Sequence, residues 1–179
     1  MTEAGGRESE CTYEWASRDK LLYLVSLVPL LGALATAIYV LAAAAVYLVV
    51  IFVVLYLAVN IFQAGCCVGC PYRGRYCPAL FGIYLSNVIS ARLYRNRSYD
   101  PRFFKLNETL AEIALFLVLA VPVYWLALEG WYYVVGFFGL VVLHEALFFP
   151  TQCTKCSYHD TCPGGRSTLR VLGRRRCSA

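Results

Sequence analysis

Charge is what this chain has least of. Asp, Glu, Lys and Arg make up 15% of its 179 residues, against about 25% in an ordinary soluble domain. So apolar a chain does not read as disordered, because disorder goes with low hydrophobicity and high charge. The net charge of +5 is modest, and the apolar runs leave no room for a basic fold, so no nucleic-acid partner is expected. No phosphate loop, dinucleotide fingerprint or nucleophile elbow is present, which leaves kinase, dehydrogenase and hydrolase readings without support. The first 20 residues carry three basic and five acidic side chains and no short apolar core, so a signal peptide is not expected.

Hydrophobic residues, by contrast, reach 60%. Residues 21–62 form 42 consecutive positions without a charge. One straight helix of that length would measure about 63 Å, twice the roughly 30 Å hydrocarbon core of a bilayer. The run therefore predicts two spans with a tight turn between Leu41 and Ala45, although no Gly, Pro or Asn marks that turn. Pro29 and Gly32 are candidate kinks in the first span. A second apolar block predicts a span over Leu110–Leu126, a turn at Glu129-Gly130 and a span over Trp131–Phe149, ended by Pro150. Trp125, Trp131, Tyr132 and Tyr133 flank that turn as an interfacial aromatic belt does.

The Lys and Arg residues fix the expected orientation. Three fall in residues 1–20, seven in 63–108 and six in 150–179, and the two short turns have none. The positive-inside rule then puts both termini and the long middle loop in the cytosol of a cell-membrane protein. The glycosylation acceptor patterns at Asn96 and Asn107 would be idle there.

The chain also repeats itself at a spacing of 86. Cys67 aligns with Cys153, Cys70 with Cys156 and Tyr72 with Tyr158; with one deletion, Cys77-Pro78 aligns with Cys162-Pro163. Each repeat is a hairpin of two spans followed by a cysteine segment. Two spans return the chain to its starting side, so the repeats are parallel, related by a pseudo-two-fold along the membrane normal. The fold expected is thus an all-α integral membrane protein. Its four transmembrane helices form two parallel two-helix repeats, each followed by a Cys-rich cytosolic loop. The segments are a polar N-terminus (1–20), hairpin 1 (21–62), a Cys-rich loop with an interfacial amphipathic helix (63–108), hairpin 2 (109–149) and a Cys-rich basic tail (150–179). The amphipathic helix is expected within 79–95, where Leu80, Phe81, Tyr84, Leu85 and Val88 recur at helical spacing.

Of nine cysteines, seven lie in two short stretches: Cys66, Cys67, Cys70 and Cys77, then Cys153, Cys156 and Cys162. Cys-x2-Cys brings two thiolates close enough to share one tetrahedral metal, and His159 sits between Cys156 and Cys162. Cys66 and Cys67 compete for one place in the first cluster. Eight candidate ligands would fill two four-ligand sites, or a shared site across the pseudo-two-fold. Cytosolic thiols are held reduced, which favours metal over disulfide. Zinc is the expected ion, with an iron–sulfur cluster as the alternative; the Cys-Pro endings are shared with ferredoxins, but the closely spaced third cysteine of their run is missing. Arg73, Arg75 and Lys155 are expected to lower the thiol pKa values. Four polar side chains, Asn60, Glu112, His144 and Glu145, fall near the cytosolic ends of the spans and are expected to form a membrane polar cluster beneath the thiols.

Two architectural resemblances follow from these residues. Four spans with two Cys pairs resemble the quinone-linked disulfide oxidoreductases, whose working cysteines, unlike these by charge, face the oxidising side. Four spans with a cytosolic Cys segment resemble the membrane palmitoyltransferases, although His159-Asp160-Thr161-Cys162 follows the fourth span, not the second. The expected function is a membrane protein whose cytosolic face is organised by Cys/His metal sites, in a structural or metal-handling role. The alternative is an oxidoreductase passing electrons between a thiol or iron–sulfur centre and a quinone. The partners expected are the bilayer, anionic lipids at the basic tail around Arg170, and a second copy or other subunits of a membrane complex.

Overall fold

The computed structural model describes residues 13–70, 72–78, 85–156, 168, 170 and 171. Within them the chain is helical, with no strand. Helix α1 runs Ser17–Ala44, α2 Val46–Cys66, α3 Leu85–Leu93, α4 Pro101–Ala120, α5 Val123–Glu129 and α6 Trp131–Phe148. A 3₁₀ turn, Cys67–Gly69, extends α2, and a π turn, Phe149–Cys153, extends α6. Four stretches are long and apolar enough to cross a membrane: Ser17–Ala44, Val46–Gly69, Pro101–Glu129 and Trp131–Cys153.

The turn between the first two falls within the expected window, and a single residue makes it. Ala45 is extended (φ −169°, ψ 137°). Its N–H donates to Leu41 O at 2.8 Å, and its carbonyl accepts from Leu48 N at 3.0 Å. Extended backbone is open to any L residue, so no glycine is needed. The second turn does need one. Gly130 has φ +147°, and a Cβ there would stand 2.5 Å from the Tyr132 ring.

Proline acts differently at three places. Helix α1 continues through Pro29 without interruption. The single span expected over Leu110–Leu126 lies within the stretch Pro101–Glu129, which carries a two-residue interruption at Val121-Pro122, between α4 and α5. There the Pro122 ring conflicts with the carbonyl four residues earlier. Pro150 does not end the last span. The helix widens into the π turn and carries on to Cys153, a widening that accommodates a residue without an N–H. The Thr151 hydroxyl donates to Leu147 O at 2.6 Å, and that of Thr154 to Pro150 O at 2.8 Å.

Residues 101–108, expected within the loop 63–108, belong to α4. Asp100 caps it, its carboxylate accepting from Arg102 N at 2.9 Å, and Pro101 takes the first helical position, the arrangement that starts helices best.

Helix α1 packs along α6 and α2 along α4, with α1 and α2 also in contact. Each buries one stripe at helical spacing: Tyr23, Leu27, Leu30, Ala33, Ala37 and Val40 on α1, and Phe137, Val141, His144 and Phe148 on α6. The opposite faces carry large exposed apolar side chains, among them Tyr39 at 73%, Phe116 at 70% and Trp131 at 75%. A contiguous apolar exterior of this kind is what a bilayer covers.

At Gly65, α2 meets α4 with no room for a side chain. A Cβ there would lie 2.3 Å from Cγ and Oδ1 of Asn107. Asn107 is buried, and its amide donates to Phe103 O at 2.9 Å. Burial alone therefore closes the Asn107 acceptor pattern to a glycan, whereas Asn96 is exposed. Gly65→Ala is expected to cost about 1–3 kcal/mol by overpacking, read as a lower melting temperature in detergent. Adding Asn107→Ala should recover most of the loss.

Candidate functional site

The cysteine-bearing end of the bundle is assembled around the start of α1. Asp19 is 3% exposed. Its carboxylate accepts from the Tyr13 hydroxyl at 2.8 Å and from Ala16 N at 3.2 Å, and it pairs with Lys155 of the second cysteine segment. Gln152, fully buried, donates from Nε2 to Asp19 O at 3.1 Å. The first cysteine segment reaches the same place from the other side. The Tyr72 hydroxyl accepts from Tyr13 N at 2.9 Å.

Aromatic rings fill the space between. Trp15 stands 5.1 Å from Tyr13, 6.2 Å from Tyr72 and 6.0 Å from Tyr76, centroid to centroid. Tyr23 joins Tyr76 at 6.2 Å to Phe148 at 6.1 Å, and Lys20 Nζ lies 5.3 Å from the centre of the Tyr76 ring. Residues 13–23 thus form a strap that touches both cysteine segments at one end of the bundle. The bond to Asp19 holds the Tyr13 hydroxyl proton and raises its pKa above the usual 10.0, and burial adds to the effect.

Cys66, Cys67, Cys70, Cys77, Cys153 and Cys156 are all half-buried here. Cys66 Sγ lies 3.9 Å from Phe104 O and Cys77 Sγ 3.7 Å from Pro78 O, while Cys153 packs against the apolar core. Among the described residues, no three His, Cys, Asp or Glu side chains come together as a group that could hold a metal ion. His159 and Cys162, two of the eight expected ligands, lie outside the described residues.

The cations near the thiols are engaged elsewhere. Lys155 is paired with Asp19. The Arg73 guanidinium donates to the carbonyls of Val68 at 3.4 Å, Ser90 at 3.2 Å and Arg97 at 3.3 Å, and also to that of Tyr94. It therefore caps the C-terminal end of α3, where free carbonyls and the helix dipole both favour a cation. Arg75 is exposed. Arg73 and Lys155, expected to lower the thiol pKa values, thus also tie the chain together.

Helix α3 occupies Leu85–Leu93 of the expected 79–95; residues 79–84, with Leu80, Phe81 and Tyr84, lie outside the described set. The face α3 buries is polar. Ser86, Asn87 and Ser90 are buried while Leu93 is 63% exposed. Asn87 Nδ2 donates to the carbonyls of Tyr72 at 3.2 Å and Arg75 at 3.1 Å, fixing the cysteine loop. Ser86 reaches Asn60 Oδ1 at 3.4 Å and Gln63 Oε1 at 3.3 Å, fixing α3 to α2.

The four membrane polar residues separate into different environments. Asn60 is buried, donates to Tyr56 O at 2.9 Å and belongs with Ser86. His144 is buried on α6, its Nδ1 2.6 Å from Ser26 O; a carbonyl only accepts, so Nδ1 carries the proton. Glu145 is half-buried and Glu112 is exposed. Glu112 lies on α4, which packs on α2, while α6 packs on α1. The expected neighbouring of Glu112 and Glu145 assumed that α4 and α6 pack together.

Asp19, Tyr13, Trp15, Tyr76 and Gln152 carry this end of the molecule and were not singled out by sequence. The Tyr72/Tyr158 match in the repeat was the one available hint. Compared with known protein families, curated proteins and solved structures, the chain matches none.

Proposed function

We propose that this is a multi-pass cell-membrane protein with both termini in the cytosol, whose cytosolic end binds zinc through its two cysteine segments. The role is structural or metal-handling, and the basic tail rests on anionic lipid. The observation that carries the reading is the shared anchorage of the two segments. Tyr72 of the first and Lys155 of the second bond to Tyr13 and Asp19, so cysteine segments 86 residues apart in sequence are tied to one short stretch at the start of α1.

The helix pairing supports the two-repeat arrangement. Under a pseudo-two-fold that exchanges the hairpins, the packing of α1 on α6 and that of α2 on α4 are images of each other. The positive charge supports the orientation, since both tight turns, at Ala45 and Gly130, lack Lys and Arg.

Cys67 with Cys70 and Cys153 with Cys156 would each supply the two-thiolate half of a tetrahedral zinc site. Cys77 would add a third thiolate to the first, with Cys66 as the alternative to Cys67, and His159 and Cys162 would complete the second. Binding at such sites contributes folding free energy directly, because no preformed site exists in the unfolded chain.

The test is elemental analysis of the full chain purified in detergent under reducing conditions. About one to two zinc per chain in colourless protein is the expected result, falling by about one in C153S/C156S. Less than about a tenth of an equivalent would sink the reading. Brown protein with visible sulfur-to-iron absorption would replace zinc by the iron–sulfur alternative, and metal-free protein with bonded cysteine pairs would replace it by a thiol relay.

A further inference from the structure

We infer that the turn between α3 and α4 is a docking site for the headgroup of an anionic phospholipid, separate from the basic tail. This rests on the reading that the bundle spans a bilayer, and not on the zinc assignment. Residues 92–97 line an open depression of about 720 Å³. Arg92, Arg95 and Arg97 are all exposed around it.

Three features fit the depression to a lipid. Its depth is the first. Ser86, at the start of α3, bonds to Asn60 and Gln63, in the last turns of α2. Ser90, further along α3, shares the Arg73 guanidinium with Val68. Val68 stands at the end of the apolar stretch Val46–Gly69, and the first charge after it is Arg73, which brings the turn to the headgroup layer. The second is Leu93, 63% exposed among the arginines. An apolar side chain beside cations suits a membrane surface, where it enters the acyl boundary while the cations meet phosphate. The third is charge. The C-terminal end of a helix is negative and would repel phosphate, but here Arg73 covers those carbonyls. The nearby carboxylate of Asp100 is turned onto Arg102 N. Arg97 is itself held, its guanidinium carbon 3.8 Å from the centre of the Phe103 ring.

The experiment reconstitutes the full chain in phosphatidylcholine nanodiscs doped with spin-labelled phosphatidylglycerol and measures the preference for the anionic lipid by electron paramagnetic resonance. The preference should fall about fivefold for each arginine removed in R92Q and R95Q, and hold in R92K/R95K, with the far-ultraviolet circular dichroism unchanged. An R174Q/R175Q/R176Q variant should keep this component. If R92Q/R95Q retains the full preference, or the tail variant alone abolishes it, the inference is overturned. Displacement of the spin-labelled lipid by inorganic phosphate would also overturn it, assigning the depression to a soluble anion. A chain that fails to enter the bilayer would instead remove the spanning reading, and this inference with it. Should R92Q/R95Q misfold, R95Q alone still carries the fivefold test.

Discussion

Asp19→Ala is expected to destabilise the cysteine-bearing end by about 3–5 kcal/mol, the usual consequence of removing one partner from a buried ion pair. The carboxylate is 3% exposed and serves Lys155, Tyr13 and Ala16 together. Its loss leaves the Lys155 ammonium without its anion and unties the Tyr13 hydroxyl and the Ala16 N–H from the start of α1. Lys155→Met should cost less, because the carboxylate keeps the Tyr13 hydroxyl and the Ala16 N–H. Chemical denaturation in detergent micelles, followed by tryptophan fluorescence, checks the order: Trp15 lies inside the affected cluster, and equal losses in the two variants would contradict it. The Tyr13 component has its own pH signature. A pKa raised above 10.0 in the folded state means that its stabilisation is complete below pH 10.0 and is lost as pH rises through the raised value. Tyr13→Phe should remove a part of the tyrosinate absorbance that titrates above the ordinary tyrosine value.

Arg73→Ala is expected to loosen α3 while leaving the four long helices in place. One guanidinium serves four carbonyls, and hydrogen bonds from a charged donor are each worth about 1.5–3 kcal/mol. Because Arg73 is half-buried and water can reach part of the vacated site, the net loss should be about 2–4 kcal/mol. That corresponds to amide exchange in Leu85–Leu93 about 30- to 1,000-fold faster, at about tenfold per 1.4 kcal/mol. Arg73→Lys should recover little, since an ammonium cannot reproduce the planar fork. Hydrogen-exchange mass spectrometry resolves the effect by segment. Unchanged protection in α3 would mean that Ser86 and Asn87 alone hold it.

Local chemistry made much of the fold legible. The uncharged runs specified four apolar helices because a helix satisfies its own backbone hydrogen bonds within one segment. Glu129-Gly130 was readable because a positive φ calls for glycine. The Ala45 turn was located but not explained, since one extended residue leaves no compositional mark. Two places read differently in sequence and in structure. Pro150 reads as a stop, but a widened turn carries the helix past it. The polar residues at 101–108 read as loop, although Asp100-Pro101 is itself a helix start.

The candidate site was less legible, and the reason is sequence separation. Asp19 and Lys155 are 136 residues apart, and nothing near either announces the other. Sequence alone determined the helical class, the four apolar stretches and the two tight turns within the hairpins, the duplicated cysteine pattern and the confinement of positive charge to three segments. All of these follow from forces acting within one helix or one short loop. Tertiary structure decided which helices are neighbours, and that His144 is buried while Glu112 is exposed. It also decided that α3 buries serines and an asparagine in preference to Leu93, and that Arg73 and Lys155 tie the chain together beside the thiols. Buried polar groups must find partners wherever the packing brings them, and that choice belongs to the assembled bundle.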